Sequence, residues 1–202
     1  MTTPSRPLRV VAVSGSLTDP SRTTALVQAI SDAFSRVLPI EPHLITLQEL
    51  GPHLAGALTR TQLPETAEAE LQRIENADLL IVATPVYRAS FTGLFKYLFD
   101  FVDQYALVDT PVLLAATGGS ERHALIIEHQ LRPLFGFFQS LALPVGVYAH
   151  DSDFTDYKIS EPGLSERIDK AVARALPLVR SSFEERETID RTLAGEEVVA
   201  AD

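Results

Sequence analysis

Apolar residues in this chain fall into two rhythms. Short unbroken runs at 10–13, 79–83, 112–116 and 145–149 end abruptly in polar or glycine-rich sequence, the pattern of strands buried on both faces of a parallel sheet. Between them the apolar positions recur every three or four residues. Leu26, Ile30, Ala33, Phe34, Val37 and Leu38 predict a helix ended by Pro39, and Ala67, Leu71 and Ile74 mark one face of a second helix over 65–76. Residues 41–46 alternate enough to form another strand. Residues 47–64 mix glycine, proline and short apolar pieces and read as a long connection with a short helical turn. Ile168, Val172, Ala175 and Val179 predict a closing helix over 164–180, kinked near Pro177. Strand and helix alternate throughout. This predicts an α/β domain over 1–182: a doubly wound, five-stranded parallel sheet of order 2-1-3-4-5 with right-handed crossovers. Residues 183–202, with seven acids against two arginines, are expected to form an acidic mobile tail.

Two segments break the amphipathic rule. Leu94, Phe95, Tyr97, Leu98, Phe99, Phe101 and Val102 cover nearly every side of one predicted helix. In a second, over about 121–141, Leu125, Ile126, Ile127, Leu131, Leu134, Phe135, Phe137, Phe138 and Leu141 do the same. A helix that is apolar all round is buried on all sides. One sheet covers only one side, so a subunit interface is expected to cover the rest.

Composition narrows the chemistry. The chain has 202 residues, 46% of them hydrophobic and 22% charged, and no cysteine. Disulfides, thiolate metal sites and cysteine nucleophiles are excluded. The net charge of −10 comes without a dense basic run, which argues against nucleic acid and anionic membrane as partners. No stretch is apolar enough to span a bilayer and the N-terminus lacks a signal-type apolar segment, so a cytoplasmic protein is expected. His43 and His53 fit no metal template. Asp151, Asp153 and Asp156 lack the glycine and terminal glutamate of an EF-hand loop and read as a solvated acidic loop. No metal site is expected.

Candidate chemistry gathers where the strands end. In open α/β sheets ligands sit at the carboxyl ends of the strands, and three loops of unusual composition lie there: 14–24, 84–92 and 117–122. The first, SGSLTDPSRTT, puts Ser21, Arg22, Thr23 and Thr24 at the start of a helix. Free backbone N–H groups and the positive helix end suit a phosphate there. The stretch is neither GxxxxGK[ST] nor GxGxxG, so hydroxyls rather than bare backbone would hold a phosphate monoester. Equally, Ser21 is an ordinary N-cap, and this stretch alone leaves both readings open. The second loop offers Pro85 and an aromatic, Tyr87. The third offers Gly118 and Gly119, which let backbone approach a flat ring closely.

Together SGSLTDPSRTT, LLIVATPVYRASFTGLFK and LLAATGGSERHALIIEHQLRPLF resemble the NAD(P)H-dependent FMN reductases of flavodoxin-like fold, over roughly residues 8–176. The likeness is greatest to the reductases of two-component alkanesulfonate and methanesulfonate monooxygenase systems, which supply reduced FMN to a separate oxygenase. The resemblance implies that Ser16, Ser21, Arg22, Thr23 and Thr24 hold the FMN phosphate. It sets Pro85, Val86 and Tyr87 against the flavin ring and ribityl chain, with Thr117, Gly118, Gly119 and Ser120 on the other side. FMN and NADH or NADPH are the implied cofactors, a homodimer or homotetramer the implied assembly, and a flavin-dependent monooxygenase the implied partner. Hydride would pass between cofactors, so no protein residue is expected as acid or base. Where many relatives carry an arginine, this chain has Thr18, so Arg22 must supply more of the charge compensation.

His129 stands where alkanesulfonate-type relatives insert a tyrosine that forms a π-helical bulge, and the histidine resembles the methanesulfonate type. The residues themselves allow a bulge or a simple kink: Pro133 has no N–H, so the His129 carbonyl loses its helical partner. A role in gating flavin access or in setting the oligomer is expected of His129. Alternatives for the whole protein are a quinone, azo or chromate reductase with prosthetic FMN, a flavodoxin-type electron carrier, and a non-catalytic scaffold of the same fold.

Overall fold

The computed structural model describes residues 6–193. Strand β1 (Leu8–Ser14) leads into helix α1 (Arg22–Ser35), β2 (Ile40–Thr46), α2 (Leu47–Leu54), α3 (Glu65–Glu75) and β3 (Leu79–Pro85). Then come α4 (Gly93–Phe99), β4 (Pro111–Gly118), α5 (Arg132–Phe137), β5 (Leu141–Ala142), β6 (Val147–His150), the hairpin β7 (Phe154–Thr155) and β8 (Lys158–Ile159), and α6 (Pro162–Leu193). The main sheet is parallel with order β2-β1-β3-β4-β5, and β6 also pairs with β4. The expected order 2-1-3-4-5 is present, with the fifth strand in two pieces.

Alternation of side chains along the strands divides the core. Val11, Val13, Leu80, Val82, Val112 and Leu114 face α2, α3, α4 and the 121–138 segment. Leu8, Val10, Ala12, Leu79, Ile81, Leu113 and Ala115 face α1 and α6. Both faces are covered, as continuous apolar strands require.

Three expectations need correction. The helix expected over 121–141 is a composite: a 3-10 turn (Glu121–Leu125), a π-helical turn (Ile127–Leu131) and α5. The π turn spans His129, so the bulge rather than the plain kink is what resettles the backbone ahead of Pro133. The composite ends at Gln139, which takes a left-handed φ of 54°, and Leu141 belongs to β5.

Between β5 and β6 lies Pro144, which has no N–H to give the ladder, and next to this gap Gly146 packs against the π turn. A Cβ there would lie 2.6 Å from Ile127 Cγ2 and 3.0 Å from the Leu114 carbonyl.

The acidic segment does not detach at 183, since α6 runs on to Leu193. Phe183 is buried beneath the Arg6 guanidinium, and Arg186 donates to the Ala77 carbonyl at 2.9 Å and to Thr110 Oγ1 at 2.8 Å. The rest of the expected tail, 194–202, and residues 1–5 lie outside the described residues.

Arg186 docks beside a buried ion cluster at the amino edge of the sheet. The Asp78 carboxylate is 1% exposed. It accepts from Arg6 Nη1 (2.6 Å) and Nη2 (3.0 Å), and from the Arg9 amide (2.8 Å) and guanidinium (3.0 and 3.1 Å). Burial opposes ionisation of Asp78. The donors from Arg6 and Arg9 outweigh it and draw the carboxyl down to about 2.

Candidate functional site

Parallel register brings Ser14, Pro85 and Thr117 to one edge, because Ser14 pairs with Ala83 and Pro85 with Thr117. The three loops are then stitched together. The Gly15 amide donates to the Ala83 carbonyl at 2.7 Å, Thr92 Oγ1 to the Gly15 carbonyl at 3.3 Å, and the Val86 amide to the Thr117 carbonyl at 2.9 Å. Gly15 is required by this closeness: a Cβ would meet Phe95 Cδ2 at 2.9 Å and the Ala83 carbonyl at 3.0 Å.

A cavity of about 320 Å³ opens between the loops. Of the residues singled out in the sequence, Ser16, Ser21, Arg22, Thr23, Pro85, Val86, Tyr87, Thr117, Gly118 and Gly119 line it. Ser21 is the N-cap of α1, with its Oγ accepting from the Thr24 amide at 3.2 Å, so the capping and cavity-lining readings coexist. Thr23 is buried, its hydroxyl 2.7 Å from that of Thr117, which ties the first loop to the third.

Thr24 and Ser120 are not brought to the cavity wall. The Thr24 hydroxyl pairs with Ser14 Oγ at 2.8 Å. Ser120 caps the 3-10 turn through the Arg122 amide, and its carbonyl accepts from Tyr148 Oη at 2.6 Å. Burial, with the nearby carboxylates of Asp151, Asp153 and Glu121, raises the Tyr148 phenol above its ordinary value and keeps it a donor. The same phenol explains Gly118, where a Cβ would stand 2.7 Å from Tyr148 Oη.

His129 lies on the wall of a second, smaller cavity of about 150 Å³, with Arg122, His123 and Leu125. Val86 borders both cavities.

Four wall residues lie outside the set read from the sequence: Thr18 and Pro20 within the first loop, and Asp151 and Tyr157. The last two follow β6, whose carboxyl end lies at the same sheet edge, and that placement was the available signal. Asp151 Oδ1 is 3.2 Å from Arg22 Nη1, and the Tyr157 ring lies 5.6 Å from the guanidinium carbon. Arg22 Nε and His123 Nδ1 are buried with no hydrogen-bond partner. Two tight turns flank the opening, Arg88-Ala89 (φ 51° and 66°) and Asp156-Tyr157 (φ 48° and 62°). None of these four residues is glycine, although the conformation favours it.

Residues 8–155 match the NADPH-dependent FMN reductase family. The chain belongs to that family. Within it, an NADH-dependent FMN reductase, SfnF, of Pseudomonas fluorescens (strain Pf0-1) is 60% identical over 86% of this chain and 93% of its own. An FMN reductase (NADPH) of Pseudomonas aeruginosa (strain PAO1) is 54% identical over 85% and 92%. Among solved structures, an oxidoreductase from Corynebacterium diphtheriae superimposes with a TM-score of 0.76 at 34% identity, covering 86% of this chain and 98% of that one. The family's flavodoxin-like architecture is the one built above. Among the described residues, no helix is long and apolar enough to cross a membrane.

Proposed function

We propose that this protein is an NAD(P)H-dependent FMN reductase that takes FMN as a leaving substrate. It would hand the reduced flavin to a methanesulfonate- or alkanesulfonate-type monooxygenase in the cytoplasm. The observation that carries the reading is the mixed wall of the cavity. Ser16 in the first loop, with Ser21 and Arg22 at the start of α1, brings hydroxyls and the buried, unpartnered Arg22 Nε. That set suits a phosphate monoester. Pro85, Val86 and Tyr87 share the wall with Gly118 and Gly119, whose bare backbone lets a planar ring approach. Residue by residue, the donor set and the flat slot fit FMN.

The chain's own work is to seat and orient. Arg22 would neutralise phosphate charge, the Ser16 and Ser21 hydroxyls would hold the phosphate, and the Pro85–Tyr87 loop would lie along the ribityl chain. Tyr87, half-exposed on the cavity wall, would border the side from which a nicotinamide reaches the ring. The redox chemistry belongs to the flavin and the nicotinamide and asks no proton transfer of the protein. Ser120 and Thr24 support the two loops from behind.

The composite 121–137 segment leaves Leu125 60% and Phe137 64% exposed, with His129 exposed between them. This supports a homodimer or homotetramer built on that face, with His129 setting the contact or gating the adjoining cavity. Light scattering of the purified protein tests this, and a monomer at micromolar concentration would remove it. Steady-state NADH and NADPH oxidation with FMN varied tests the activity. Colourless protein whose turnover saturates in added FMN is expected. Yellow protein that needs a quinone or dye to turn over would replace this reading with a prosthetic-flavin reductase.

A further inference from the structure

The cavity wall holds a negative charge of its own beside Arg22. Among the described residues that line it, Arg22 is the only cation and Asp151 the only acid, and the two are paired at 3.2 Å. Asp151 is held in place from behind. The adjacent Asp153 carboxylate accepts from the His150 amide (2.8 Å) and from Arg167 (2.6 Å), and its carbonyl accepts from the Ser160 amide (2.9 Å). The hairpin that follows turns on Asp156 and Tyr157 in left-handed conformations and lays the Tyr157 ring over Arg22.

We infer that Asp151 is a resident competitor for the flavin phosphate. It occupies Arg22 while the cavity is empty and yields the guanidinium when a phosphate dianion enters. It thereby holds FMN affinity low enough for the flavin to depart. The inference rests on the reading that the FMN phosphate sits at Arg22.

Two effects of Asp151 oppose each other. By ordering Arg22 it favours phosphate, but a half-exposed ion pair is worth at most roughly fivefold, and the Tyr157 ring already orders the same side chain. By placing a carboxylate in the pocket that receives a dianion, it repels the ligand and engages the single cation. At partial burial and a separation of a few ångströms this second effect is the larger. An uncharged ligand tail feels neither effect, so Asp151 sets selectivity as well as affinity.

The test is flavin binding followed by fluorescence quenching without nicotinamide, for FMN and riboflavin in parallel. Asp151→Asn is expected to tighten FMN about tenfold, to leave riboflavin unchanged, and to carry FMN through gel filtration. Asp151→Glu, which keeps the charge, should stay near wild type. Asp151→Ser also removes the charge and carries the same expectation should asparagine disturb the loop. Unchanged or weaker FMN binding in both neutral variants, or an equal gain for riboflavin, would overturn the competitor role. Arg22→Gln separates that failure from the failure of its premise. If it weakens FMN alone, the phosphate seat stands whatever Asp151 does; if it leaves FMN untouched, both ideas fall.

Discussion

The two edges of this sheet are built on opposite terms. At the amino edge, the Asp78 carboxylate is wrapped by Arg6, Arg9 and the docked end of α6, and both its oxygens accept hydrogen bonds. At the carboxyl edge, Arg22 Nε and His123 Nδ1 are buried without partners. Of the six non-glycine residues with positive φ among the described residues, four lie in the two turns around the cavity. One edge is saturated with partners and the other holds unpaired polar groups in reserve. The contrast follows from what each edge must do. The amino edge fixes strand register and anchors the last helix. The carboxyl edge must exchange its partners for a ligand's, so its groups cannot all be satisfied beforehand.

Substitutions can break this contrast, and the largest effect is expected at the saturated edge. Asp78→Asn leaves Arg6, Arg9 and Arg186 around an uncharged amide and should lower stability by about 3 kcal/mol, measured by denaturant unfolding, with turnover per folded molecule preserved. Loss of turnover without loss of stability would erase the distinction. The same residue predicts the acid limb. Its carboxyl, held at about 2 against an ordinary 3.8, is depressed on folding. Its contribution is therefore complete above about pH 4 and is lost as the pH falls towards 2. The limb should flatten in Asp78→Asn.

Next in size is Gly118→Ala, whose methyl would displace the Tyr148 phenol from the Ser120 carbonyl. A loss of about 2 kcal/mol is expected, with the KM for FMN rising alongside. Arg186→Ala should cost about 1 kcal/mol and expose the end of α6 to limited proteolysis, leaving the KM for FMN unchanged. The smallest effect has the opposite sign. Ala89→Gly relieves a left-handed alanine at the cavity mouth and should raise stability by about 0.5–1 kcal/mol, seen as a higher Tm. An unchanged or lower Tm would mean that the turn stores no strain.

The sequence revealed most where the physics is local. The runs at 79–83 and 112–116 read as strands buried on both faces, and the loops after them gained weight by ending at one sheet edge. Pro133 marked a disturbed backbone at His129 because a missing N–H has an address four residues back, and the family resemblance pointed to a bulge there. What stayed hidden depends on contacts between distant segments. Nothing near residue 183 announces that Arg186 reaches Ala77 and Thr110, so an acid-rich stretch read as a tail. Asp151 sat among other aspartates and looked solvated. Only the fold of β6 and its hairpin brings it to Arg22 across the mouth of the cavity. The break in the fifth strand had a local sign in Pro144, and only the closeness of Gly146 to Ile127 was hidden for the same reason.

That break bears on how the molecule can change over generations. Gly146 and the widened turn at Ile127–Leu131 occupy each other's space, since a single methyl at 146 would collide with Ile127. Deleting one residue to restore an ordinary helix would pull Ile127 away and leave a hole above Leu114. Adding a side chain at 146 first would wedge the turn off the sheet. Either order passes through a damaged intermediate, so each of the two features constrains change in the other.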